Sequence, residues 1–131
     1  MASRPSSDRA FPVVIAERVS ATAEFYERLG FVRHFQLPAE GEPGYVGLRR
    51  GVSELGVVSA EWPEQQYGAS VAAGVRFEMF VYVDAVDDAV EALRAEGVRV
   101  MCDPADMPWG ERLAYVADPD GNPVALAQPG S

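Results

Sequence analysis

The sequence predicts an α+β fold built from two βαβββ modules, about residues 11–60 and 76–128. They are joined by a linker over 61–75 within a single domain of 131 residues. Three observations carry this. The stretch VSATAEFYERLGFVR, Val19 to Arg33, resembles VDDAVEALRAEGVRV, Val86 to Val100, at a shift of 67 residues. Both stretches have the apolar spacing of a short amphipathic helix. One β-type run precedes each, and three follow it.

In the first module, Phe11–Glu17 is the opening strand. The helix after it has Ser20 as an N-cap type, whose oxygen can accept from first-turn N–H groups. Ala23, Phe25, Tyr26 and Leu29 form its apolar face, and Gly30 suits the left-handed residue that ends it. FVRHFQL, GYVGLRRG and SELGVVSA are the three strands that follow. Glu61 to Gly74 is punctuated by Pro and Gly and lacks a period, as a linker would. In the second module, RFEMFVYV (Arg76–Val83) is the opening strand. Its helix has Asp87 as cap, Val86, Ala89, Val90 and Leu93 as apolar face, and Gly97 as terminator. VRVMC, ERLAYVA and NPVALAQ close the chain. Asp120-Gly121 signals a two-residue hairpin turn between the last two strands. Asp118, Asp120 and Asn122 have a calcium-loop spacing, but Pro123 and Pro129 stand where that loop needs Gly and Glu.

Hydrophobic residues make up 48% of the chain and charged residues 24%, as in soluble globular proteins. No apolar run approaches the roughly 18 residues of a membrane span. The opening MASRPSSDR lacks the apolar segment of a signal peptide, so a cytoplasmic protein is expected. A single cysteine, Cys102, excludes an internal disulfide framework and is expected to be a small buried residue. The net charge of −9 disfavours nucleic acid and anionic membranes as partners and would suit a cationic one.

Strand alternation puts Glu78, Phe80 and Tyr82 on one face and Met79, Val81 and Val83 on the face toward the helix. Phe11, Val13 and Ile15 share a face in the same way. His34 and Phe35 are consecutive, so alternation turns only one of them inward. Trp109, in the Pro-Trp-Gly loop, is expected to be exposed. Trp62, after the fourth strand, either lines the concave face or covers the core edge. Arg112 is expected to pair with a nearby acid. No nucleophile has an evident base, since His34 is the only histidine and Cys102 has no obvious partner.

The segments EFYERLGF, YVGLRRG and PWGERLAYVADPDGN resemble the vicinal oxygen chelate superfamily of glyoxalases, extradiol dioxygenases and bleomycin-resistance proteins. The resemblance runs from Phe11 to Gln128. Enzymes of that superfamily hold a divalent metal through one residue on the first and last strand of each module. Here the resemblance puts Phe11, Gly56, Glu78 and Ala125 at those places, and one carboxylate does not hold a Lewis-acid metal tightly. The resemblance therefore implies no metal, no cofactor and no metal-driven electrophilic chemistry.

It is nearest to the bleomycin-resistance branch, whose members bind an antibiotic without altering it. That implies a domain-swapped homodimer, with an exchanged N-terminal arm ahead of Pro12. It also implies a large, partly planar natural product as partner, bleomycin-, mitomycin- or enediyne-like. Tyr45 and Trp109 fall where the branch stacks on its ligand. Glu78, Phe80, Tyr82, Trp62, Phe35, His34, Phe11 and Tyr115 complete the expected ligand set. The alternative is a metal-free isomerase or lyase with Glu78 as base.

Overall fold

The structure, a computed structural model, describes residues 9–130. It divides into two compact units whose boundary falls between Ala69 and Ser70, inside the expected linker. The arm expected ahead of Pro12 falls mostly on residues 1–8, outside the described residues.

The first unit runs β1 (Val13–Ala16), α1 (Val19–Glu27), β2 (Val32–Leu37), β3 (Tyr45–Arg50), β4 (Ser53–Ser59) and α2 (Trp62–Tyr67). Its four-stranded sheet has the order β1-β4-β3-β2, with β1 parallel to β4 and the other pairs antiparallel. The second unit runs β5 (Met79–Tyr82), α3 (Val86–Ala95), β6 (Val100–Asp106), β7 (Arg112–Ala117) and β8 (Pro123–Gln128). Its sheet, β5-β8-β7-β6, repeats the same topology. The fold is therefore α+β with two βαβββ modules, as the sequence repeat requires.

The two long helices end in the same way. The Phe31 N–H reaches the Tyr26 carbonyl at 3.1 Å, and the Val98 N–H reaches the Leu93 carbonyl at 3.0 Å. Each such bond spans a glycine with positive φ, 96° at Gly30 and 86° at Gly97. This is the Schellman closure that glycine permits without steric cost. The helix starts depart from expectation. Arg18 and Ala85 are the N-caps, and neither makes a side-chain cap. Ser20 Oγ instead donates to Glu42 Oε1 at 2.9 Å, and Asp87 takes Arg112. The first helical residues, Val19 and Val86, are 2% and 0% exposed. Burying a valine is worth about 1.5–3 kcal/mol, against about 1 kcal/mol for a side-chain cap, so burial sets the start.

The apolar face of α1 (Ala23, Phe25, Tyr26) and Leu29 just after it are buried, as are Val14, Val46 and Val57 of its sheet. In the second unit Val86, Val90 and Leu93 of α3 are buried, as are Val81, Val116, Val124 and Leu126 of the sheet.

Three local features differ from expectation. The linker contains α2, a six-residue helix that starts with Pro63 in its first turn and ends at left-handed Gly68. Six residues are too few to display a period. The β7–β8 connection is five residues long, because Ala117 pairs with Pro123. Asp118, only 3% exposed, organises it. One carboxylate oxygen of Asp118 accepts from the N–H groups of Asp120 and Asn122 at 2.9 Å each, and the other accepts from Asn122 Nδ2 at 3.2 Å. The self-bonding of an Asx turn thus replaces the two-residue hairpin turn. Cys102 is exposed rather than buried. It lies on edge strand β6, where the register with β7 shifts on both sides of it.

Candidate functional site

In the first unit, Phe35, Gly47, Gly56 and Val13 lie side by side across β2, β3, β4 and β1. Two adjacent glycines leave the middle of this row without side chains, and aromatic groups fill the space. A Cβ on Gly56 would stand 2.9 Å from the Tyr45 hydroxyl oxygen, and one on Gly47 would stand 3.1 Å from His34 Nε2. Side chains at 47 and 56 would push these rings off the sheet.

His34 and Phe35 both line the cavity above this floor. The pairing passes from Arg33–Leu48 directly to Phe35–Gly47, a β-bulge that leaves His34 without a partner of its own. A bulge cancels the alternation that would have turned one of the two side chains away, so the expectation of a single inward residue is corrected.

The cavity measures about 880 Å³. Its aromatic wall is Phe35, Tyr45 and Trp62. The Phe35 and Tyr45 rings meet edge to face at 5.8 Å, and those of Tyr45 and Trp62 are 6.3 Å apart at 47°. Helix α2, which opens at Trp62, places the indole here, so Trp62 lines the cavity. Burial pushes the Tyr45 phenol above its ordinary pKa. Phe11, just before β1, also lines the cavity and lies 5.2 Å from the Arg9 guanidinium. Arg9 grips both carboxylate oxygens of Glu54, with Nε donating to Oε2 at 2.8 Å and Nη2 donating to Oε1. This hydrogen bonding holds the Glu54 carboxyl below its usual range.

The sequence did not single out Arg9, Gly47, Leu37, Pro38 or Glu54 as cavity residues. Glu54 shares strand parity with Gly56, a signal that alternation offers. Arg9 precedes every periodic segment and offers none.

In the second unit, Phe80 pairs with Ala125 and Ala125 with Tyr115, while Tyr82 pairs with Ala127 and Ala127 with Leu113. Phe80 and Tyr82 are exposed on this face, whereas Val81 between them is buried. Leu113, Ala125 and Ala127 pack together, with Met107 and Tyr115 against them. Trp109 is 62% exposed, but its indole N–H donates to Glu111 Oε1 at 2.9 Å. The other oxygen of Glu111 accepts from the Tyr82 hydroxyl at 2.9 Å. That bond, with some burial, raises the Tyr82 phenol. Glu111 was not anticipated, although it lies two residues from Trp109. Tyr115 donates to Glu78 Oε2 at 3.0 Å, and burial followed by this bond raises its phenol. Arg112 pairs with Asp87 at 2.8 Å and Asp106 at 3.0 Å, a structural role.

The positions at which the resemblance would put a metal do not fit one. Phe11 carries no donor, and the Tyr45 phenol stands where a side chain on Gly56 would go. Ala125 is a buried methyl group, and one oxygen of Glu78 is engaged by Tyr115. Among the described residues, no three of His, Cys, Asp and Glu group to hold a metal. Among them also, no helix is long and apolar enough to cross a membrane.

Residues 10–126 match the family model described as Glyoxalase/Bleomycin resistance protein/Dioxygenase superfamily. TioX from Micromonospora sp. ML1 is a similar solved structure, with 22% identity, TM-score 0.74, and 92% of this chain and 98% of that chain covered. A bleomycin-binding protein complexed with bleomycin has 26% identity and TM-score 0.60, covering 94% and 99%. Lactoylglutathione lyase from Agrobacterium tumefaciens has 20% identity and TM-score 0.68, covering 95% and 96%. By their names, a binding protein and an enzyme are both among the similar folds. No match was found among curated proteins.

Proposed function

This chain belongs to the glyoxalase/bleomycin resistance protein/dioxygenase superfamily, and from that premise we propose that it binds and sequesters a planar, aromatic natural-product antibiotic without changing it. The observation that carries this is the Phe35–Tyr45–Trp62 wall above the Gly47–Gly56 floor. Ligand pockets for drug-sized molecules run roughly 300–1,000 Å³, so a cavity of about 880 Å³ accepts a polycyclic ligand. Each ring contact adds about 0.5–1.5 kcal/mol beyond the area it buries. The bleomycin-binding protein, at 26% identity, supports a binding role. Phe11 and His34 complete the first-unit contacts. On the second unit, Trp109, Phe80 and Tyr82 offer further aromatic surface, with Glu78 and Tyr115 as polar contacts. The protein acts in the cytoplasm as a homodimer, a state that light scattering after size exclusion checks.

The test is a titration with bleomycin, mitomycin C and acridine, followed by tryptophan fluorescence, with mass analysis of the recovered compound. At least one should quench saturably, need about fivefold to tenfold more ligand to do so in Tyr45→Ala, and be recovered intact. Absence of saturable quenching by all three would sink the proposal.

A second reading has its own observation. The Glu78 carboxylate hydrogen-bonded to the half-buried Tyr115 phenol is an arrangement that can take a proton from a carbon acid and steady the resulting oxyanion. A metal-free isomerase or lyase would return an altered compound, and Glu78→Gln would stop the change.

A further inference from the structure

The charge of the whole chain and the charge of its cavity point to different ligands. The chain carries −9, a field that favours cations at long range. Among the described residues lining the first-unit cavity, the side chains with full charges are Arg9 and Glu54, and they are bound to each other. His34 and Tyr45 are the other titratable groups there. Apart from these, the lining is mostly aromatic and apolar.

We infer, building on the ligand pocket proposed above, that this cavity selects uncharged planar aromatic ligands over cationic ones, with Arg9 as the specificity-determining residue. Both oxygens of Glu54 are engaged by the Arg9 guanidinium, so a ligand cation finds no carboxylate here without displacing Arg9. Aromatic walls attract cations through their faces. In this cavity the guanidinium already lies over Phe11, and a second cation would compete for that ring against a like charge. An anionic ligand meets Glu54, which Arg9 keeps ionised. A neutral ring system stacks on Phe35, Tyr45 and Trp62 and leaves the pair intact.

One aromatic skeleton in three charge states tests this: acridine, N-methylacridinium and acridine-9-carboxylate, titrated calorimetrically at pH 8, where acridine carries no proton. A salt concentration of about 0.3 M screens the long-range field to a few ångströms. Wild-type protein should bind acridine at least tenfold more tightly than either ion. Arg9→Gln uncovers Glu54 and should shift the ratio toward N-methylacridinium by about tenfold. Adding Glu54→Gln should restore the preference for acridine. Equal or tighter wild-type binding of the cation would overturn the inference while leaving the pocket standing, as would an unchanged ratio in Arg9→Gln. Failure of all three compounds to bind would overturn the inference, and the pocket with it if bleomycin and mitomycin C also fail to bind.

Discussion

The Tyr45 hydroxyl oxygen lies 2.9 Å from the point where a Cβ on Gly56 would stand, with ring atoms following at 3.3 and 3.4 Å. The position that the resemblance assigns to a metal ligand is therefore roofed by a phenol. Gly56 has no positive φ, so its backbone accepts alanine, and the added methyl must tilt the ring. Gly56→Ala should keep the circular dichroism spectrum while weakening acridine about fivefold or more, a loss of about 1 kcal/mol in ring contact. Gly56→Glu should bind no stoichiometric zinc after dialysis, because Phe11 offers no second donor. Elemental analysis showing one tightly held zinc would contradict this.

Tyr45 and Trp62 should contribute separately measurable but coupled affinity. Their rings are 6.3 Å apart, close enough for each to hold the other in place. Tyr45→Ala and Trp62→Ala should each weaken acridine about fivefold to tenfold, in line with an aromatic contact of about 1 kcal/mol. The double variant should lose less than the product of the single losses, since neighbouring residues are non-additive. Strict additivity in the calorimetric cycle would mean that the two rings act independently.

Glu111 holds two aromatic side chains at once, Trp109 and Tyr82. Glu111→Ala should free the Trp109 indole, which acrylamide would then quench more efficiently. The same variant should bring the Tyr82 phenol back down toward its ordinary value, visible in an ultraviolet pH titration. The sign follows from linkage: a phenol raised by a carboxylate contributes its bond at neutral pH and loses it as pH rises through the raised value. Unchanged quenching and titration in Glu111→Ala would show that the two bonds do not hold in solution.

Asp118 should be the most sensitive residue of the β7–β8 connection. Its buried carboxylate satisfies two backbone N–H groups and the Asn122 amide, while Asn122 Oδ1 accepts the Arg76 N–H at 2.9 Å. Asp118→Ala leaves buried donors unsatisfied and should cost about 1–3 kcal/mol in urea denaturation. Asp118→Asn, which keeps an acceptor oxygen, should cost less. The exposed neighbour Pro119 should tolerate alanine with little effect.

The modules were legible because they are written twice. Gly30 and Gly97 end their helices by the same closure, and the apolar faces that precede them point to the core without knowledge of the partner sheet. Features that depend on a partner across the sheet were not legible. The His34 bulge exists only in relation to Gly47, so nothing in VRHFQL announces it. The Arg9–Glu54 pair joins residues 45 positions apart. Glu111 is next but one to Trp109, but its hold on Tyr82 requires the strand order of the second sheet. Helix starts failed for another reason: Ser20 and Asp87 have the chemistry of caps, but burial of Val19 and Val86 fixed the register first. Helix α2 is simply shorter than any period it could show.

The wall around Tyr45, proposed as a binding surface for a planar ring, can be tested directly. Replacing Trp109 with phenylalanine leaves Trp62 as the single tryptophan of the chain, a reporter within the cavity. Titrating that variant with acridine should quench Trp62 saturably at one equivalent, and Tyr45→Ala in the same background should move the saturable phase to about fivefold to tenfold higher acridine concentration. Quenching that stays linear, or that is identical with and without Tyr45, would contradict the account.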